Sequence, residues 1–147
     1  ILRKNEDIEE NHLFQEGGIM MLKVYCDEDC GNAPKKQVLK DFNIAYAKCD
    51  SESIIEQVTD NVIWHMVGDK HIQGKEQFAK ELKRVGHEQA TELHIEHIIT
   101  HGNTGTVNGV LTFNHDRRYA FCDVYVFNSS AKHAKIKEIR SYVIQTS

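Results

Sequence analysis

At 147 residues the chain is long enough to close one domain around a real core. A net charge of −4 with no basic stripe argues against nucleic acid as a partner, and no apolar run approaches the length of a membrane span. Four cysteines (Cys26, Cys30, Cys49, Cys122) are few for a disulfide framework, and no apolar leader is evident, so a reduced, cytoplasmic protein is expected.

Residues 1–19 are polar and rich in Glu and Asn, and Met20-Met21 follows Gly17-Gly18 as a natural start would. They are set aside from fold reasoning, although Ile8, Leu13 and Phe14 could anchor a helix. Met21 to Tyr25 is short and apolar and leads into Cys26-Asp-Glu-Asp-Cys30 and Gly31-Asn-Ala-Pro34, a loop by composition. Two cysteines bracketing three acids offer too few ligands for zinc. Residues 1–34 are therefore read as an N-terminal extension, and 35–147 as the domain.

A helix is expected from Lys35 to Cys49, just after the only proline, with Val38, Phe42, Ala45, Tyr46 and Cys49 on one face. Asp50-Ser51 breaks it and starts a second, short helix to Val58. Thr59-Asp-Asn61 reads as a turn. Val62 to Val67 is the first strand, with Ile63, His65 and Val67 on one face and Trp64 and Met66 on the other. Gly68-Asp69 turns into His71-Ile-Gln73, and Gly74 precedes a third helix, Lys75 to Val85, striped by Phe78, Ala79, Leu82 and Val85. The remainder alternates as β-structure: Thr91–His101, Gly105–Phe113, Arg118–Phe127 and Ile136–Gln145. In the first of these, Leu93, Ile95, His97 and Ile99 share a face, which leaves His94, His97 and His101 too scattered for a metal site.

The strand Arg118–Phe127 organises the rest. It places Tyr119, Phe121, Asp123, Tyr125 and Phe127 on one face and Arg118, Ala120, Cys122, Val124 and Val126 on the other, so both faces look covered. Asp123 is a carboxylate in an aromatic row. A buried ionised carboxylate is costly unless paired, which makes it a candidate for function or for a structural hydrogen bond.

The order α-α-β-β-α-β-β-β-β, with the local patterns inside it, resembles the NTF2-like superfamily, in particular its SnoaL-like and ketosteroid-isomerase-like members. The resemblance covers about residues 35–145. It rests on Lys40–Val58, on Val62–Gly74, on Lys75-Glu-Gln-Phe78, and on Cys122–Phe127 with Lys135–Tyr142. It implies an α+β cone, a curved antiparallel sheet wrapped around the helices and enclosing an apolar pocket, and commonly a homodimer through the outer sheet face. In ketosteroid isomerase a general-base Asp works with a Tyr and a protonated Asp. Carried over position by position, the protonated Asp falls on Asp123, the base on His65 and the Tyr on Phe42, with Tyr46 one turn away. The resemblance therefore implies that His65 and Asp123 point into the pocket as a base and its partner, walled by Phe42, Tyr46, Ile63, Tyr119, Phe121 and Tyr125. The expected function is isomerisation, dehydration or cyclisation of a small apolar or carbonyl compound by proton transfer, with no cofactor and no metal. The alternatives are non-catalytic binding of an apolar ligand and a dimerisation or interaction module.

Overall fold

The computed structural model describes residues 21–31 and 33–147. The stretch 1–19, with the helix allowed for around Ile8, Leu13 and Phe14, lies outside them. The chain forms α1 (Pro34–Ala47), α2 (Ser51–Ile55) and α3 (Lys75–Val85). Its strands are β1 (Lys23–Cys26), β2 (Val58–Met66), β3 (His71–Gln73), β4 (Glu92–His101), β5 (Thr104–Thr112), β6 (Arg118–Phe127) and β7 (Ile136–Gln145). They make one seven-stranded sheet in the order β1-β4-β5-β6-β7-β2-β3. Successive strands β4 to β7 are antiparallel, whereas β2 joins β7 and β1 joins β4 in parallel. The helices cover one face of this curved, mostly antiparallel sheet, which is the α+β cone expected.

Each helix begins and ends for local reasons. Pro34 occupies the first turn of α1, where its missing N–H costs nothing. The helix stops at Ala47, short of the expected Cys49, because the chain turns through Cys49 in the left-handed region (φ 62°). Asp50 then caps α2 by accepting from the Ser53 amide at 3.3 Å. α3 ends at Gly86, whose amide donates to Leu82 O.

Four details differ from the sequence expectation. Lys23–Cys26, placed outside the domain, pairs with Glu92–Ile95 and lengthens the sheet. The strand β2 begins at Val58 and runs through Thr59–Asn61, absorbing the expected turn as a register shift before Ile63. The α1 stripe is rotated: Leu39 is fully buried where Val38 is only partly so, and Asn43 faces inward. In β4 a bulge between Ile95 and His97 flips the alternation, so Ile98 is buried and Ile99 is exposed. That bulge depends on Gly109 of β5, where an added Cβ would lie 2.1 Å from His94 O.

The core lies between the inner sheet face and the helices. Leu93, Ile95, Ile98, Val107, Phe121, Tyr125 and Ile139 of the sheet meet Leu39, Phe42, Tyr46, Phe78 and Leu82. Aromatic pairs fix the contacts, with Phe42 edge-on to Tyr125 at 5.8 Å and Trp64 tilted against Phe78 at 5.4 Å.

Candidate functional site

Sheet register decides what can meet inside the cone. Met66 of β2 is level with Ser141 of β7, Ser141 with Asp123 of β6, and Asp123 with Val107 of β5. These side chains share the inner face, and all four residues are buried. One residue along, His71, His65, Arg140 and Val124 form a row on the outer face. His65 is thus on the opposite face of the sheet from Asp123, and the expected His65–Asp123 pair does not form. The cause is the two-residue pleat: Trp64 and Met66 go inward, so His65 goes outward. Ile63, also half-buried, follows His65 to the outside and is no part of the interior wall. His65 packs instead against His71, with ring centroids 5.3 Å apart.

The other expected residues are inside. Phe42, Tyr46, Tyr119, Phe121 and Tyr125 are all buried, and Asp123 has no solvent exposure. Around Asp123 runs a directed chain of hydrogen bonds. Asn43 Nδ2 donates to Leu39 O at 2.8 Å and to Tyr125 Oη at 3.1 Å. Tyr125 O–H in turn donates to Asp123 Oδ2 at 3.2 Å. The chain leaves Tyr125 a donor toward the carboxyl, and its phenol is held well above the ordinary tyrosine range by burial, against which the Asn43 bond works. Tyr46 is likewise pushed up, first by burial and then by the nearby Cys49 and Glu81. On the other side of Asp123, Trp64 Nε1–H donates to Ser141 Oγ at 3.1 Å.

A cavity of about 240 Å³ opens beside this network, lined by Met66, Val67, Asp69, Tyr119, Ser141, Val143 and Gln145. Ser141, the cross-strand partner of Asp123, forms part of its wall, so the buried carboxyl lies behind the cavity wall rather than in it. Usual sites for drug-sized ligands span roughly 300–1,000 Å³, so this one suits a smaller molecule. Two further hollows of about 350 and 240 Å³ lie at the start of α1, around Lys35 and Lys132, and between α1 and α2. Neither is lined by residues of the Asp123 network.

Sequence reasoning missed Asn43, Ser141 and the inward set of Trp64 and Met66. Asn43 was findable: it lies one turn beyond Leu39, beside Phe42, on a face otherwise apolar. Ser141 follows from pairing Asp123 across an antiparallel hairpin, which needs the register and not the strand alone.

Residues 39–139 match the profile of the SnoaL-like domain, more than half of the chain. The chain belongs to the SnoaL-like family. Solved structures share its fold at low identity. An NTF-2 like protein of unknown function from Burkholderia xenovorans LB400 is 15% identical, with 78% of this chain and 86% of that one covered and a TM-score of 0.64. An LEH-like epoxide hydrolase of M. tuberculosis is 18% identical, with 76% and 83% covered and a TM-score of 0.62. A candidate ketosteroid isomerase from Kribbella flavida DSM 17836 is 9% identical, with 78% and 80% covered and a TM-score of 0.63. No curated protein matches the chain. Within the SnoaL-like chain no helix of the described residues is long and apolar enough to cross a membrane.

Proposed function

We propose that this SnoaL-like protein holds a small, largely apolar molecule with an oxygen function in the cavity beside Ser141, and acts on it by proton transfer through Asp123. The observation that carries this reading is the fully buried Asp123 at the end of the Asn43–Tyr125 donor chain, level with a residue of the cavity wall. A carboxyl kept from water and given a fixed donor is an oriented group. It can give or take a proton once a ligand or a side-chain rotation reaches it. With His65 on the outer face, an isomerase, dehydratase or cyclase chemistry here rests on Asp123 without an imidazole partner. The names of the epoxide hydrolase and the candidate ketosteroid isomerase support small-molecule chemistry as the class. Binding without conversion is the second reading, favoured by the position of the Asp123 carboxyl behind the cavity wall rather than in it.

The test is a thermal-shift screen of small carbonyl compounds and epoxides, followed by turnover assays on any that bind. A ligand at about a hundred times its dissociation constant stabilises by roughly 2.7 kcal/mol. Conversion by wild type and its loss in Asp123→Asn, with binding retained, supports proton transfer. Binding with no conversion supports the second reading, and unchanged turnover in Asp123→Asn removes Asp123 from the mechanism.

The outer sheet face is proposed as a homodimer surface. Tyr142 and Ile144 are exposed there beside the half-buried Ala120, Val124 and Val126, a run of apolar side chains facing solvent in one chain. Sedimentation equilibrium of wild type and Tyr142→Glu decides it: a dimer that becomes a monomer is the expected result, and a wild-type monomer at all concentrations rejects it.

A further inference from the structure

We infer that His65 and His71 form a two-imidazole site for a transition-metal ion on the outer edge of the sheet. The pair is set by the hairpin. Met66 and Lys70 exchange backbone bonds, Met66 N–H to Lys70 O at 2.8 Å and Lys70 N–H to Met66 O at 3.1 Å. In an antiparallel ladder the pair next to such an exchange is the narrow, non-hydrogen-bonded one, where facing side chains stand closest. His65 and His71 are that pair. Their ring centroids are 5.3 Å apart and their planes are inclined at 52°. Two imidazoles on one ion, at metal–nitrogen distances of about 2.0–2.1 Å and a tetrahedral angle, have ring centres roughly 5 Å apart. The observed separation of the two rings matches that spacing.

The rings are available. Among the described residues neither makes a hydrogen bond or ion pair. His71 is exposed and His65 half-buried, on β2 and β3 at the sheet's edge, so solvent reaches the pair. No group of three or more His, Cys, Asp or Glu is gathered for a metal among the described residues, so water completes the coordination shell. The neighbour across the sheet, Arg140, is level with His65 and lies 4.0 Å from Glu138. Its charge weakens cation binding without supplying a ligand. Imidazole suits copper, nickel and zinc, with divalent copper held most tightly, whereas hard ions such as magnesium prefer oxygen.

The test is isothermal titration of the untagged full chain with Cu²⁺, Ni²⁺, Zn²⁺ and Mg²⁺, repeated on His65→Ala, His71→Ala and His97→Ala. The expected result is one ion per chain, copper tightest and magnesium silent. Either His65→Ala or His71→Ala should weaken binding by roughly tenfold or more, since loss of even an outer-shell partner costs that much. The exposed His97 elsewhere on the same face should be without effect. All of these variants lie outside the core, and a melting curve for each confirms that it folds. Absence of binding, binding unchanged in both pair variants, or equal loss in His97→Ala overturns the inference.

Discussion

Replacing Tyr125 by Phe removes one hydroxyl and leaves the ring that packs against Phe42. The hydroxyl accepts from Asn43 at 3.1 Å, an ordinary N–H···O length, and donates to Asp123 at 3.2 Å, long for an O–H···O bond. Each bond contributes about 1 kcal/mol net. What remains after the substitution costs more: an Asn43 N–H without this acceptor and an Asp123 oxygen without this donor, in a region closed to water. A buried group stripped of its partner costs about 1–3 kcal/mol. Together these put the loss at about 2–4 kcal/mol, below the simple sum because Asn43 keeps its bond to Leu39 O. In a chain of this length each kcal/mol moves the melting midpoint by roughly 2–4 °C, so a fall on the order of 5–12 °C is expected. Urea unfolding measures the energy, and a double-mutant cycle with Asn43→Ala measures the coupling, expected at about 0.5–3 kcal/mol. A Tyr125→Phe variant within about 0.5 kcal/mol of wild type, or an additive cycle, would falsify the view that these groups form one connected chain.

Two further outcomes follow from other parts of the fold. Tyr46 and Tyr125 are raised in the folded state, so the native protein keeps protons that the unfolded chain gives up near the ordinary tyrosine value of about 10. Stability is therefore fully present below about pH 10 and declines above it, by about 1.4 kcal/mol per pH unit for each group, until the folded values are passed. Phenolate absorbance should show Tyr46 and Tyr125 ionising only with unfolding, and a flat stability from neutral to strongly alkaline pH would contradict this. Gly109→Ala forces a Cβ against His94 O at the β4 bulge, so about 1–3 kcal/mol or more should be lost on thermal unfolding. A neutral effect would mean that the bulge has moved.

The sequence was most informative where periodicity and turn chemistry agree. The strands His71–Gln73, Arg118–Phe127 and Ile136–Gln145 and the helix Lys75–Val85 stand at the expected positions, each bounded by Gly or a polar turn. The exceptions are places where tertiary contacts outweigh the local pattern. β1 is four residues long and mostly exposed, and it is a strand because β4 offers it a parallel edge. Thr59–Asn61 carries turn residues, yet β7 alongside keeps it in the sheet with a register shift. Ile99 alternates correctly with Ile95 in the sequence, and one extra residue at Glu96 sends it to the outside. Such a bulge leaves no periodic signal; its only local trace is Gly109 on the neighbouring strand, where a side chain has no room.

The misplacement of His65 is the instructive one, because both faces of that strand are legible in the sequence. Val62, Trp64 and Met66 form one set; Ile63, His65 and Val67 form the other. Burial of a side chain stabilises in proportion to apolar area, and Trp is the largest such side chain in the chain. A face bearing Trp64 and Met66 therefore displaces one bearing His65 from the interior, and the structure has Trp64 and Met66 buried with Val67 exposed. The correspondence of His65 with a catalytic base pointed the other way, yet a one-residue shift is enough to reverse the face of every side chain. The same preference carries Asp123 inward. Its neighbours two residues away on each side, Phe121 and Tyr125, hold that face inside whatever the carboxyl prefers. An acid carried inside by its flanking aromatics must find donors there, and Tyr125, two residues along the same strand, supplies one. The buried carboxyl and its hydrogen-bond donor are thus a consequence of one alternating pattern. The imidazole belonged to a different pattern, whose apolar members stood on the other face.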